Sequence, residues 1–314
     1  MAPAISFYYW KTKFALNKQE LNVLKSNNVQ QLYVRYFDIE YDKILRKAQP
    51  VGILQLSDTT VAQKIIPVIF IKNDVFTQIS NDTIRTLCEN VMRLVKQISI
   101  AAKQQPDAIQ FDCDWSINTQ EKYFRFLKEY KQISHQNISA TIRLHQIKYA
   151  LTTGIPPVDK GVLMFYNMGK VDASNNNSIY NENTTLSYIS KLKDYPLPFD
   201  VALPIFSWGI QIRNGQVVHL LNKMNDFNND NCFQKIRKDR FRVVRSCFKG
   251  GYYFFLNDEV KTESITPDDL KSMAKLINKN SEQTIHQIIF YDLDAFNLKN
   301  YETNIYEQTA HLFN

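Results

Sequence analysis

Short apolar runs alternate with amphipathic stretches along this 314-residue chain, and that alternation constrains the fold more than any other feature. Strands that are covered by helices on both faces are almost continuously apolar, and strands alternating with helices indicate a parallel sheet. A (β/α)8 barrel needs about 250 residues, which this chain exceeds. We therefore predict an α/β fold, a (β/α)8 TIM barrel with strands at 5–10, 31–39, 65–71, 108–114, 138–144, 161–167, 200–206 and 287–293.

Amphipathic segments fill most of the gaps between these runs. The clearest helix start is Thr266-Pro267-Asp268-Asp269, in which a capping threonine precedes proline at the first position and two acids in the first turn. The gap between strands two and three is less clearly helical. Helices are predicted at 17–27, 81–104, 118–133, 183–193 and 266–279.

The segment 207–265 breaks this rhythm. Its alternating stretch 210–218 surrounds Asn214-Gly215, a typical two-residue hairpin turn, and a second β-like run covers 252–255. That second run suits either a sheet core or an exposed glycan platform. We predict one domain over 1–314, with a β-rich insertion at 207–265 after strand seven. Loops that follow barrel strands form the functional face, so the insertion should wall one side of the cleft.

Charge and motif content limit the possible partners. The net charge is +7, but the basic residues are scattered apart from one cluster at 235–245. Nucleic-acid binding usually needs a dense basic face or a known module, so we expect no nucleic-acid partner. No apolar run is long enough to span a membrane, and no phosphate-binding glycine-rich motif or other cofactor motif follows a strand, so no cofactor is expected. Oligomeric state is left open.

The beginning of the chain and its cysteines bear on location. The first residues run almost directly into a strand, which favours a periplasmic or cell-surface protein whose leader has been removed, with a cytoplasmic protein as the alternative. Cys88, Cys113, Cys232 and Cys247 show no metal-binding spacing. Cys232 and Cys247 could pair or remain reduced.

Polar and aromatic side chains cluster where the predicted strands end, the working mouth of such a barrel. Carboxylates can supply acid, base or nucleophile for glycoside chemistry, and aromatic faces stack on sugar rings. A glycan is therefore the expected ligand. The candidate substrate-binding residues are Trp10, Asp38, Arg143, Asn167, Trp208 and Asp292.

Asp112 and Asp114 form the sharpest pair of candidates. Alternate residues of a strand face the same side, so both should face the barrel axis, about 6–7 Å apart at their Cα atoms. Two acids so close repel each other, which raises one pKa and favours a proton donor. In the structural alternative, Asp112 pairs with Arg35 or Arg143 and Asp114 is solvated.

The run Asp107-Ala108-Ile109-Gln110-Phe111-Asp112-Cys113-Asp114 resembles the strand-four motif Asp-Gly-x-Asp-x-Asp-x-Glu of the family-18 glycoside hydrolase (chitinase-like) superfamily. Ala108 replaces the glycine, Gln110 replaces the first inner aspartate, and Asp114 stands in place of the catalytic glutamate. Met164-Phe165-Tyr166-Asn167 resembles the family's sixth-strand motif Met-x-Tyr-Asp. The chain also resembles uncharacterised bacterial barrel proteins of secreted and lipoprotein type.

The resemblance implies substrate-assisted hydrolysis of an N-acetylated glycan. Asp114 would be the general acid, Asp112 would orient an acetamido group, and Tyr166 would donate a hydrogen bond to its carbonyl oxygen. An aspartate is one methylene shorter than a glutamate, and a misplacement of about 1 Å can cost on the order of 100-fold in rate.

Two alternatives to substrate-assisted glycoside hydrolysis are also open. A barrel with altered catalytic positions and aromatic residues at its rim suits a non-catalytic carbohydrate-binding protein. A metal-dependent hydrolase is the third hypothesis, although the His-x-His motif of zinc barrels is missing and no metal ligand is assigned. The carboxylates that it would use are Asp38, Glu40, Asp112, Asp114 and Asp292.

Overall fold

The structure is a computed structural model that describes residues 2–57, 61–167 and 169–313. Eight parallel strands form a closed barrel, because the first strand pairs with both the eighth and the second. The predicted (β/α)8 barrel is therefore confirmed. The barrel strands are Ala4–Tyr9, Gln31–Asp42, Lys64–Ile71, Ala108–Asp112, Asn137–Arg143, Lys160–Met164, Phe199–Pro204 and Gln287–Tyr291.

Helices follow most barrel strands, as their amphipathic patterns predict. Thr266 caps its helix through the amide of Asp269, and Asn17 caps the first helix in the same way through Glu20. The α-helices are Lys18–Ser26, Asp74–Gln78, Ile84–Ala101, Gln120–Ser134, Leu144–Lys148, Ala150–Thr153, Glu182–Ile189, Pro267–Asn280, Ala295–Leu298 and Ile305–Ala310, and the 3-10 helices are Asn81–Thr83 and His311–Phe313. None of these described helices is both long and apolar enough to cross a membrane.

The connection between barrel strands two and three differs from the others. Its strand Lys47–Val51 pairs antiparallel with the second barrel strand, and the short strands Lys13–Phe14 and Gln55–Leu56 pair with each other. No helix forms in the described part of this connection, 43–57 and 61–63. The weak helical pattern of this gap therefore reflects an added sheet edge.

The predicted β-rich insertion lies between barrel strands seven and eight. Five antiparallel strands form one sheet, and Cys247–Lys249 pairs with Tyr252–Phe254 in a separate hairpin. Phe254 is buried in the core of the insertion, whereas Tyr253 and Phe255 are exposed. The aromatic run thus contributes to both a core and a surface. In spatial order the five strands are Gln216–Asn222, Trp208–Arg213, Glu259–Glu263, Arg240–Val243 and Phe233–Arg237.

A buried polar contact, here called the seam, joins the insertion to the loop after barrel strand six. It consists of Lys261 and Glu263 with the groups that they bind. The two side chains are 1% and 2% exposed, and their charged atoms lie 2.6 Å apart. Glu263 accepts hydrogen bonds from the Trp208 indole at 2.9 Å and from the Ser178 hydroxyl. Lys261 donates to the backbone carbonyls of Asp172, Ser174 and Asn176.

Candidate functional site

A cavity of about 540 Å³ opens at the C-terminal ends of barrel strands four to six. We call it the mouth cavity. Four of the predicted site residues line it together, namely Asp114, Arg143, Tyr166 and Asn167. Its remaining lining residues are Trp115, Leu144, His145, Met164 and Tyr188. The strand ends thus bring residues of three strands to one opening.

Asp114 is held by Arg143 at the edge of this cavity. The Nε of Arg143 donates to one carboxylate oxygen at 2.8 Å, and Nη2 donates to the other at 3.2 Å. The fourth barrel strand ends at Asp112, so Asp114 lies beyond it, with its side chain 57% exposed. Both oxygens therefore accept guanidinium hydrogen bonds, and this two-pronged contact fixes the carboxylate firmly.

Asp112 lies deeper in the barrel and is 5% exposed. Its Oδ1 accepts a hydrogen bond from the Thr141 hydroxyl at 2.6 Å. Burial raises the pKa of Asp112 to about 6; the nearby Arg143 opposes this rise, and the charge of Asp114 adds to it. The alternative in which Asp112 forms the ion pair and Asp114 is left to solvent is wrong, because Arg143 pairs with Asp114 and Arg35 pairs with Asp38.

Tyr166 lines the mouth cavity with a buried side chain. Its hydroxyl has no hydrogen-bond partner among the residues that the structure describes. Burial raises the pKa of Tyr166 well above its usual value, so the hydroxyl keeps its proton and can donate. Further down the barrel, the Tyr8 hydroxyl donates to Gln110 Oε1 at 2.6 Å, and Gln110 Nε2 also lacks a partner in the described chain.

Tyr291, which no sequence pattern singles out, organises the aromatic side of the mouth. It ends barrel strand eight, and its ring stacks on Tyr166 with a centroid distance of 5.5 Å. It also contacts the rings of Tyr8, Trp10 and Phe206. The peptide bond between Tyr291 and Asp292 is cis. Its position at the end of a strand is the sequence signal that could have identified it as a site residue. The apolar run before it makes it look like a core residue instead.

The other predicted substrate-binding residues lie outside the lining of the mouth cavity, and Asp38 stands within the second barrel strand rather than at its end. Asp38 is bound by both arms of Arg35, and the Arg35 guanidinium lies 5.9 Å from the Trp10 ring centroid. The Trp208 indole belongs to the seam. Asp292 accepts a hydrogen bond from Asn297, and burial raises its pKa to about 6.

The carboxylates at the mouth do not converge on one point. Within 2–57, 61–167 and 169–313, no three His, Cys, Asp or Glu side chains are grouped so as to hold a metal ion. Each acid has its own partner: Lys72 binds Glu40 at 2.7 Å, and Arg143 binds Asp114. The arrangement gives no support to a metal-dependent hydrolase.

A second cavity, about 560 Å³, lies at the opposite end of the barrel. Gln31, Lys160 and Gln287 line it. Gln287 accepts hydrogen bonds from the Gln31 amide and the Tyr33 hydroxyl, and Lys160 pairs with the buried Asp200. Contacts at this end of a barrel serve its closure, whereas ligands bind at the C-terminal ends of the strands. We assign the candidate site to the mouth cavity.

Comparison with known proteins gives a likeness in structure alone. No family model and no curated protein sequence matches the chain. The spore cortex-lytic enzyme SleL of Bacillus cereus superposes with a TM-score of 0.58 at 14% identity, over 100% of this chain and 75% of SleL. The class V chitinase of Nicotiana tobaccum gives 0.56 at 10% identity over 98% of each chain. The chitinase-like agglutinin of Robinia pseudoacacia gives 0.55 at 10% identity, over 98% of this chain and 99% of the agglutinin.

These likenesses establish a distant chitinase-like barrel fold. The resemblance to family-18 barrels that the strand-four and strand-six motifs suggest is confirmed at the level of the fold. At such low identity, a shared fold leaves the chemistry to be argued from the site itself. The roles of Asp112, Asp114 and Tyr166 stay predictions.

Proposed function

We propose that this chain binds a glycan in the mouth cavity and does not cleave it through Asp114. The observation that carries this proposal is the two-pronged contact between Arg143 and Asp114. A general acid must present a proton to the leaving oxygen. Both Asp114 oxygens face guanidinium donors, so neither presents a proton to a ligand while this pair is formed.

The lining of the cavity supports a sugar ligand. Sugar sites combine aromatic surface with a few fixed polar groups. The half-buried Tyr188 supplies aromatic surface here, while Arg143 and Asn167 supply polar groups. The structural neighbours are consistent with this chemistry, because the Nicotiana tobaccum class V chitinase has been solved in complex with NAG4.

The unpartnered Tyr166 hydroxyl points to an N-acetylated sugar. A buried donor without an acceptor is costly, and a ligand carbonyl at the floor of the cavity would satisfy it. An acetamido group carries such a carbonyl. We therefore propose an N-acetylated oligosaccharide as the ligand class, with Tyr166 as the residue that recognises its acetamido oxygen.

Calorimetry and product analysis on the same samples test this proposal. Chitotetraose and peptidoglycan fragments are titrated into the wild-type protein and into Asp114→Asn, and each mixture is then analysed for shorter products. Asp107→Asn is the matched control, because Asp107 precedes the same strand at its other end and pairs with Lys64 on the surface. We expect binding without products. Absence of binding to every glycan tested would contradict the proposal.

A second candidate function is glycoside hydrolysis with Asp114 as the general acid. It is favoured by the 57% exposure of the Asp114 side chain and by its place beside Tyr166 on one cavity. Substrate would then have to draw Arg143 away from Asp114. Product formation by the wild-type protein that Asp114→Asn abolishes and Asp107→Asn preserves would establish this function in place of the first.

A further inference from the structure

Cys232 and Cys247 lie side by side in the insertion, outside the mouth cavity. Cys232 is buried and immediately precedes the strand Phe233–Arg237, and Cys247 opens the hairpin that ends at Phe254. Both pack in the hydrophobic core of the insertion. Asp230 joins the two segments, because it accepts hydrogen bonds from the Cys232 amide at 2.9 Å and from the Lys249 side chain at 3.0 Å.

The two cysteines are neighbours in this core. Burial together with the adjacent Cys232 thiol raises the pKa of Cys247 to about 12. The backbone around them is fixed, since the Val244 amide donates to the Cys232 carbonyl at 2.8 Å. The Arg245 guanidinium lies 3.8 Å from the Cys232 sulfur.

We propose that Cys232 and Cys247 form a disulfide when the protein meets a disulfide oxidant such as oxidised glutathione. Cys247 is the more exposed of the two, so its sulfur meets the glutathione first. Its raised pKa keeps the thiolate fraction small and this step slow; the thiolate that forms when the proton leaves to solvent attacks one glutathione sulfur and releases one glutathione as a thiol. The Cys232 thiolate then attacks the Cys247 sulfur of this mixed disulfide. The second glutathione leaves as a thiol. Two protein thiols are oxidised and one glutathione disulfide is reduced to two thiols.

The bond would fix the exposed face of the insertion. It closes the chain between residues 232 and 247, which holds the paired strands Phe233–Arg237 and Arg240–Val243. It also ties down the start of the hairpin that carries the exposed Phe248 and Tyr253. A disulfide closing a loop of this size raises stability mainly by restricting the unfolded chain. Such a bond is also expected in an oxidising compartment, which agrees with a periplasmic or cell-surface location.

Intact-mass spectrometry tests the bond directly. The purified full-length protein is incubated overnight with oxidised glutathione or with dithiothreitol, alkylated and weighed, and a non-reducing digest identifies linked peptides. We expect the oxidised protein to lose two hydrogens and to yield one peptide pair joining Cys232 to Cys247. Its thermal midpoint should rise by about 5 °C over the dithiothreitol sample.

The matched variants separate this bond from general oxidation. Cys247→Ser and Cys232→Ser should lose both the mass change and the thermal shift, while Cys88→Ala, altered at a buried thiol of the barrel, should keep both. Alkylation of both Cys232 and Cys247 after oxidation overturns the proposal. So does a glutathione adduct that persists, or a link that includes Cys88 or Cys113.

Discussion

The seam and the mouth cavity both contain a basic side chain paired with a carboxylate. They differ in burial and in whether the neighbouring polar groups have hydrogen-bond partners within the protein. In the seam, Lys261 binds Glu263 and three backbone carbonyls, and both side chains are almost fully buried. In the mouth cavity, Arg143 binds an Asp114 that is 57% exposed, and Tyr166 nearby has a hydroxyl without a partner in the described chain.

This difference distinguishes a structural contact, the seam, from a candidate binding site, the mouth cavity. A buried pair with every donor used leaves nothing for a ligand to bind, and it holds neighbouring segments in place. An open pair beside an unused donor is arranged for an incoming molecule. Substitutions in the seam should therefore change the free energy of unfolding, whereas substitutions at the cavity should change glycan affinity.

The largest expected effect is on stability in the seam. Lys261→Met leaves Glu263 as a buried charge without its counterion, which should lower the free energy of unfolding by about 3–5 kcal/mol in chemical denaturation. Lys235→Met changes an exposed lysine of the same sheet and should stay within about 0.5 kcal/mol of wild type. A loss below about 1 kcal/mol for Lys261→Met would mean that the seam is not structural.

The pH dependence of the free energy of unfolding should report the ionisation of Asp112. Its pKa of about 6 in the folded protein lies above the ordinary 3.8, so folding favours the protonated form. The stability that this proton supplies is present below pH 3.8 and is lost as the pH rises through 6. Asp112→Asn keeps an acceptor for Thr141 and cannot ionise. It should gain about 1–3 kcal/mol over wild type at pH 8 and nothing at pH 3.5.

Denaturation curves at both pH values check this gain, with Asp107→Asn as the exposed control. Asp292, whose pKa is also raised to about 6, still contributes to the pH dependence of the free energy of unfolding in Asp112→Asn. If Asp112→Asn is less stable than wild type at pH 8, the ionised carboxylate of Asp112 stabilises the folded protein. That result would favour a role for charged Asp112 at the cavity.

A smaller change in affinity should mark Tyr166. Tyr166→Phe removes a hydroxyl that has no partner in the described structure, so stability should change by less than about 0.5 kcal/mol. Chitotetraose binding should weaken about tenfold, or about 1.4 kcal/mol, by calorimetry. Tyr195→Phe removes another buried hydroxyl, outside the lining of the mouth cavity, that has no partner among the described residues, and it should leave affinity unchanged. Equal affinity in both variants would remove Tyr166 from the site.

The sequence predicted the barrel well because its signal is periodic and repeated. All eight predicted strands form, and the break at 207–265 is a β-rich insertion. The predicted positions of the strand ends were less accurate. The fourth strand stops at Asp112, so Asp114 lies outside the barrel interior. An apolar pattern continues past the last ladder hydrogen bond, so it does not locate where a strand ends.

The site was predicted only in outline for a different reason. Strand ends indicated Arg143, Asp114 and Tyr166, but the partner that each polar group takes depends on segments far apart in the chain. Lys261 binds a carbonyl 89 positions away at Asp172, and no local pattern encodes that contact. Tyr291 was missed because an aromatic residue in a buried strand is usually core.

A crystal structure of the protein soaked with chitotetraose tests the central claim most directly. We predict intact sugar in the mouth cavity, with an acetamido oxygen within hydrogen-bond distance of the Tyr166 hydroxyl and with Arg143 still bound to Asp114. Sugar bound only outside the cavity would contradict the proposed binding site. Cleaved sugar beside an Asp114 that Arg143 has released would contradict the proposal that this barrel binds glycan without cutting it.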